Sequence, residues 1–316
     1  MLQPVLLVVA VGYGLSQRLP HRRYKSILKE TCIQLIPFDV RDAELLQMSK
    51  KLRKSDDNKA HPWQVTINYQ GQAKDTQDNA PKEFFTNVDS KLLERPSFSQ
   101  FIAMMDNFNR KTGSIEPRVP PEQEKREIST FLTTILASRP WQTLYSFLNR
   151  KGHPYAKNPS TFRNWIEQLW FTHYSRSKGK ADSSAFEHVF MGEEKNQEVS
   201  GLHNWVRFYM LERNRTEDLD YKGYIIQRGN VMAAVRFTWQ GALKRTGSLL
   251  IGTSPEYDMA LYTLCFLSRR GKELCQVELD GCPLSVTSYE MVQNNKIYIG
   301  TVFPTAGKKT STCGKE

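Results

Sequence analysis

The sequence predicts an α+β fold: a helical N-terminal half followed by a strand-rich, antiparallel C-terminal half. Two observations carry the prediction. Between residues 39 and 174 apolar side chains recur mostly at helical spacing. After residue 214 the pattern shifts to short β-prone runs broken by turn signals. Helices and strands fall in separate blocks, which is the mark of α+β architecture.

The elements follow in order. From residue 39, Ala43, Leu45, Leu46, Met48 and Leu52 form a helical stripe. Residues 54–78 are polar, with one strand-like piece, Trp63-Gln-Val-Thr-Ile-Asn-Tyr69. Pro96 opens a helix bearing Phe98, Phe101, Ile102, Met105 and Phe108. Pro121 begins another, acidic in its first turn as the helix dipole prefers and apolar later at Ile128, Phe131, Leu132 and Ile135. Pro140 starts a third, and Ser160 caps a fourth that runs through Trp165, Leu169, Trp170 and Tyr174. The Ser-, Lys- and Gly-rich residues 175–184 read as an exposed loop, and the alternating residues 186–193 as a strand. Residues 200–213 carry Leu202, Val206 and Tyr209 on one helical face. Strands are predicted at 224–227, 231–239, 247–252, 274–280, 284–289 and 296–303, with Asp280-Gly281 as a turn. Ser254-Pro255-Glu256 combines a capping serine, an N1 proline and an early carboxylate, so a helix starts there, with Met259, Tyr262, Cys265 and Phe266 on its apolar face.

The chain has 316 residues and a formal net charge of +11, with a sequence pI of about 9.3. That sign favours a polyanionic partner such as nucleic acid. The apolar run at residues 5–11 is too short to span a bilayer and is followed by Gly14 and Ser16, so residues 1–16 are expected to be a signal peptide of a secreted chain. Residues 17–34 form a basic leader, 35–305 the main domain and 306–316 a basic C-terminal tail. Asn214-Arg215-Thr216 is a glycosylation sequon, which has meaning in an exported glycoprotein. Five cysteines, Cys32, Cys265, Cys275, Cys282 and Cys313, are too sparse for a disulfide scaffold, and no C-x-x-C pair suggests structural zinc. Cys275 and Cys282 lie in neighbouring strand-like runs and could pair, while Cys265 on an apolar helix face reads as a buried thiol.

Six histidines are present, and two stand at special places. His188 lies in Phe186-Glu-His-Val-Phe-Met-Gly-Glu193, and His203 in Val199-Ser-Gly-Leu-His-Asn-Trp205. Cleaving RNA through its own 2′-hydroxyl needs a base, an acid and a cation to offset charge on the phosphate. Imidazoles titrate near neutrality and suit the first two roles. No protein nucleophile is required, in keeping with the lack of a Gly-x-Ser-x-Gly elbow. Composition does not choose the cation, because Lys and Arg are plentiful.

The strings FEHVFMGE, EVSGLHNWVRFY, FTWQGALKRTGS, IGTSPEYDMALYTLCF and IGTVFP, in that order across residues 186–304, resemble the signature blocks of the EndoU (poly(U)-specific endoribonuclease, XendoU-like) family. KEFFTNVD, FIAMMDNFNR and IEQLWFTHYSR in the helical half are similar too. The resemblance covers roughly residues 35–305. It implies an endoribonuclease that cuts single-stranded RNA at uridines by metal-dependent transesterification, leaving 2′,3′-cyclic phosphate and 5′-hydroxyl ends. It implies His188 and His203 as the acid–base pair and Lys244 as the cation, with Arg245 the neighbouring alternative. The coronavirus uridylate-specific endoribonuclease, a distant relative, is similar in spacing; its uracil-reading serine falls on Ser248, and it suggests His203 as base and His188 as acid. Thr301 is a further candidate base or ribose contact. Phe303 stands where family members often have tyrosine, which keeps an aromatic face for a base but removes a hydroxyl. Animal members resemble one another in needing Mn²⁺ or Ca²⁺, so Glu187 and Glu193, with Glu194 beside them, are candidates to bind an ion or to hold the histidines. A monomer with no membrane span is expected. Two alternatives stay open: a metal-dependent phosphodiester hydrolase using His188, His203 and Glu193 as ligands, and a non-catalytic RNA- or polyanion-binding protein on a nuclease fold.

Overall fold

A computed structural model describes residues 38–74, 77–113, 121–177, 179–271 and 274–314. The expected signal peptide, the leader and Cys32 lie outside the described residues. The helices are α1 (Asp42–Lys54), α2 (Ser90–Leu93), α3 (Pro96–Ala103), α4 (Pro121–Ala137), α5 (Arg139–Arg150), α6 (Pro159–Phe171), α7 (Trp205–Arg213) and α8 (Pro255–Arg269). The strands are β1 (Val65–Ile67), β2 (Phe85–Val88), β3 (Glu193–Lys195), β4 (Glu198–Ser200), β5 (Leu219–Arg228), β6 (Met232–Trp239), β7 (Ala242–Leu250), β8 (Cys275–Leu279), β9 (Cys282–Gln293) and β10 (Lys296–Ala306). Most of the helices precede most of the strands, as the periodicity predicts, with α8 set between β7 and β8. Among the described residues no helix is long and apolar enough to cross a membrane.

Two sheets build the C-terminal half. One has the order β3-β4-β7-β6-β5 and the other β10-β9-β8, while β1 and β2 form a separate ribbon. Pairing is antiparallel except where β4 meets β7 in parallel, Glu198 opposite Leu243. That junction lets the β3–β4 hairpin, which the sequence pattern did not show, join the sheet that carries Lys244. Helix α8 starts where its signals place it: Ser254 Oγ accepts from the Tyr257 amide, and Pro255 occupies the first turn. It is buried almost end to end and forms the centre of the core. Helix α6 starts two residues earlier than expected. Asn158, not Ser160, caps it through the Thr161 amide, and Pro159 follows at N1.

Three expectations are corrected. Residues 187–191 form a single π-helical turn rather than a strand, and every side chain in it is buried. Alternation failed there because both flanks are covered: Phe186 and Phe190 are aromatic anchors sunk in the helical core. The loop at 175–184 is exposed only at its tip, since Asp182, Ser183 and Ser184 are buried. Asp182 folds the loop back by accepting from the Arg176 and Gly113 amides at 2.9 and 2.7 Å. Finally, Cys275 pairs with Cys265, and Cys282 with Cys313. The antiparallel register sets Cys275 opposite Val286 and Cys282 opposite Leu279, so those two thiols never face each other. The second bridge, with the Gly314 amide donating to the Asp280 carbonyl at 3.2 Å, ties residues 307–314 against the β8–β9 turn.

Candidate active site

The π turn that carries His188 is fixed by apolar packing. Phe190 stacks between Trp170 and Tyr262, with ring centroids 5.2 and 6.0 Å away. Phe186 packs against Phe101, Phe131 and Phe171. Each such ring stabilises the turn by about 1.5–3 kcal/mol. Such π turns are rare and frequently mark functional sites. Gly192, at φ +85°, ends the turn, and Glu193 after it reaches back to His188 Nδ1.

His203 comes from the segment between β4 and α7, and the main chain joins it to the first histidine. The Leu202 amide donates to the His188 carbonyl at 3.2 Å, and the His203 amide to the Val189 carbonyl at 2.7 Å. Gly201 permits this approach. It has φ +67°, and a side chain there would start 1.6 Å from the His188 carbonyl oxygen. Beyond His203, Asn204 caps α7 through the Arg207 amide and donates to Asp258 at 3.1 Å. The Trp205 indole donates to the Thr253 carbonyl at 2.7 Å. His203 is thereby anchored to the start of α8.

Lys244, Thr246 and Ser248 all lie on β7 and line one cleft, where a bulge between Lys244 and Gly247 interrupts the strand's alternation. Lys244 Nζ donates to the Gly201 carbonyl at 2.8 Å. Across from β7, Thr301 and Phe303 share one face of β10. A cleft of about 580 Å³ is lined by His203, Lys244, Ser248, Thr301 and Phe303, with Ile226 and Met232 as apolar wall. His188 borders this group through Gly201: its ring carbon Cδ2 is 3.4 Å from where a Gly201 side chain would begin. All three sequence-predicted acid–base and cation residues and all three base-contact candidates are thus brought together. Phe303 differs in detail, since its ring stacks on His203 at 5.2 Å between centroids.

The two histidines have different partners. His188 Nδ1 is 2.8 Å from Glu193 Oε2. Glu193 also receives the Ser183 hydroxyl, and Arg176 Nε lies 3.5 Å away. Burial would raise the Glu193 carboxyl, but His188, Arg176 and Ser183 hold it below its usual range, so it is ionised. Burial lowers His188 below 6.5 against the pull of Glu193. His203 Nδ1 faces the Ser248 carbonyl at 3.0 Å. Burial and the Lys244 charge push His203 well below 6.5. Lys244 is itself lowered to about 8 by burial.

Glu187 and Glu193 do not fit an ion as they stand. Both oxygens of Glu193 are engaged, partly by a cationic guanidinium. The buried Glu187 carboxylate accepts from the Ser184 amide at 3.3 Å. Among the described residues no three His, Cys, Asp or Glu side chains are placed to hold a metal. The geometry suits Glu193 to orienting His188, the second of the two roles that the sequence left open. Glu194 pairs with Arg110 at 3.0 Å. Arg245, the alternative cation, is exposed and pairs with Glu198 at 3.2 Å. Sequence reasoning missed Ser183, Arg176 and Gly201. Only Gly201, a glycine two residues before a candidate histidine, carried a readable signal.

Fold and site define an α+β protein with two histidines and a lysine gathered at one cleft between sheets. The sequence model of the family "Endoribonuclease XendoU" matches residues 44–304, and the chain belongs to that family. It is 38% identical over 272 residues to a bovine uridylate-specific endoribonuclease and 38% over 275 residues to a human one, each alignment covering 82% of this chain. The chain spans 64% and 65% of the length of those two relatives. It is 34% identical to a Xenopus tropicalis poly(U)-specific endoribonuclease, covering 83% of this chain and 92% of that one. The solved structure of XendoU, described as a splicing-independent snoRNA-processing endoribonuclease, superposes with a TM-score of 0.71 at 33% identity, over 84% of this chain and 97% of that one.

Proposed function

We propose that this chain is an endoribonuclease that cleaves single-stranded RNA at uridines by transesterification, leaving 2′,3′-cyclic phosphate and 5′-hydroxyl ends. The observation that carries the reading is the gathering of His188, His203 and Lys244, from three separate segments, around the Gly201 main chain. A carbonyl oxygen only accepts, so His203 Nδ1 holds its proton toward Ser248 and the other ring nitrogen keeps a free lone pair. Its lowered pKa keeps it neutral at pH 7. His203 therefore acts as the base that takes the 2′-hydroxyl proton. His188, backed by an ionised carboxylate that steadies its imidazolium form, acts as the acid on the 5′-oxygen. Lys244 offsets charge on the phosphate, and Ser248, Thr301 and Phe303 meet the base and ribose.

An activating Mn²⁺ or Ca²⁺ enters this reading as an ion that orders the loops, outside the chemistry and away from the Glu187–Glu193 pair. Two disulfides support export. So does the exposed sequon, where the Thr216 hydroxyl bonds Asn214 Oδ1 at 2.8 Å. The test is alanine substitution. His188→Ala, His203→Ala and Lys244→Ala should each lower cleavage of a uridine-containing oligonucleotide by at least about 100-fold with melting behaviour unchanged. Cleavage near the wild-type rate by any of the three would remove that residue from the mechanism.

A further inference from the structure

Behind the His188 turn lies a second cavity, of about 710 Å³, whose apolar wall includes Met105, Phe108 and Met210. Trp239 lines it, and two arginines lie over that ring: Arg110 at 5.3 Å and Arg207 at 5.5 Å from the centroid. The two differ in charge balance. Arg110 is paired with Glu194 at 3.0 Å and donates to the Trp239 carbonyl at 3.0 Å. Arg207 donates through Nε to the Met191 carbonyl at 3.2 Å, and its two terminal nitrogens find no acceptor among the described residues. The nearby Glu217 carboxylate is engaged by the Trp239 indole at 3.0 Å. Burial lowers the Arg207 guanidinium to about 10. The Arg207 fork thus has no hydrogen-bonded carboxylate among the described residues and feels Glu217 only through space, and a buried cation without a direct partner is costly. Its planar fork matches two oxygens of a phosphate.

We propose that this cavity is a second, non-catalytic phosphate site, with the Arg207 fork taking the phosphate and the Met105–Phe108–Met210 wall the base or sugar that carries it. Lys111 at the rim adds positive charge, and Asp106 offers an acceptor for a ribose hydroxyl. The phosphate belongs either to an RNA strand or to a free nucleotide. The site also touches the machinery for cleavage. Met191 and Gly192 line it, Arg207 Nε holds the Met191 carbonyl, and Glu193, the partner of His188, follows directly in the chain.

The test is calorimetric titration of the Lys244→Ala protein, in which the first cleft has lost its phosphate-facing cation. Inorganic phosphate and uridine 5′-monophosphate should bind saturably, the nucleotide more tightly. Adding Arg207→Gln should weaken both by at least about tenfold, the scale of a charge-assisted fork. If that variant does not fold, Met210→Glu places a carboxylate on the apolar wall and should have the same effect. A short oligoadenylate that displaces the nucleotide identifies an RNA strand as the occupant; nucleotide binding without displacement identifies a free nucleotide. No binding, or binding unchanged by either substitution, overturns the proposal. The readout is binding alone, so it stands or falls separately from the assignment of His188, His203 and Lys244.

Discussion

His203 Nδ1 lies 3.0 Å from the main-chain carbonyl oxygen of Ser248 and 3.4 Å from that residue's hydroxyl. One residue therefore serves two functions. Its carbonyl sets which ring nitrogen of the proposed base is free, and its side chain faces the cleft where uracil would sit. The backbone role survives loss of the hydroxyl, which separates recognition from catalysis.

Ser248→Ala should accordingly lose preference for uridine over cytidine while keeping its rate on uridine within about tenfold, because selectivity arises from a polar group left unmet by the wrong base. Steady-state kcat/KM on matched uridine and cytidine substrates measures this. An unchanged ratio would move base reading to Thr301.

The different partners of the histidines separate their roles. An activated 5′-leaving group needs little protonation, so it should restore His188→Ala more than His203→Ala. Glu193→Gln removes the counterion of the His188 imidazolium. It should lose about 10- to 100-fold on ordinary RNA, the usual scale for a lost supporting partner, and recover on the activated substrate. Rescue of His203→Ala instead would reverse the assignment.

The pH profile has a defined shape. Both histidines are held below 6.5, so kcat/KM, which reports the free protein, should peak on the acid side of 6.5. Lys244 loses its charge as pH rises through about 8, so the alkaline limb should steepen there. Lys244→Arg keeps its charge past about pH 12 and should abolish the steepening. A limb of the same shape in both proteins would show that Lys244 does not titrate in the working range.

His153 carries a stability term away from the cleft. It is buried, its Nδ1 accepts from the Tyr155 amide at 3.2 Å, and burial lowers it from 6.5 to about 4. The folded protein thus keeps it neutral while the unfolded chain takes up a proton. Stability present above 6.5 is lost as pH falls toward 4, by up to about 3 kcal/mol. In denaturant unfolding, the gap between wild type and His153→Gln should shrink by about that amount from pH 7 to pH 4. Parallel stability curves would contradict it.

What the sequence revealed and what it hid follow from the range of the forces involved. Helix α8 was legible because Ser254, Pro255 and Glu256 act locally, and the strands from β5 to β10 because their side chains alternate between two environments. The π turn at 187–191 was not, because it is held by Trp170 and Tyr262, both distant in sequence. The cysteine pairing depended on strand register, which spacing does not contain. His188, His203 and Lys244 were found through ordered resemblance. Their supports were not: Ser183 reads as loop polarity and Arg176 as one of 44 basic residues.

The central claim is that the 2′-hydroxyl of the RNA is the nucleophile, activated by His203. The most direct measurement replaces the one uridine of an oligonucleotide by 2′-deoxyuridine and follows cleavage and product ends, with Mn²⁺, with Ca²⁺ and with chelator. The expected result is no cleavage of the deoxy substrate under any condition, and 2′,3′-cyclic phosphate with 5′-hydroxyl ends from the ribo substrate. Cleavage at the deoxyuridine, or 5′-phosphate ends from the ribo substrate, would mean that water attacks the phosphorus and would contradict the account.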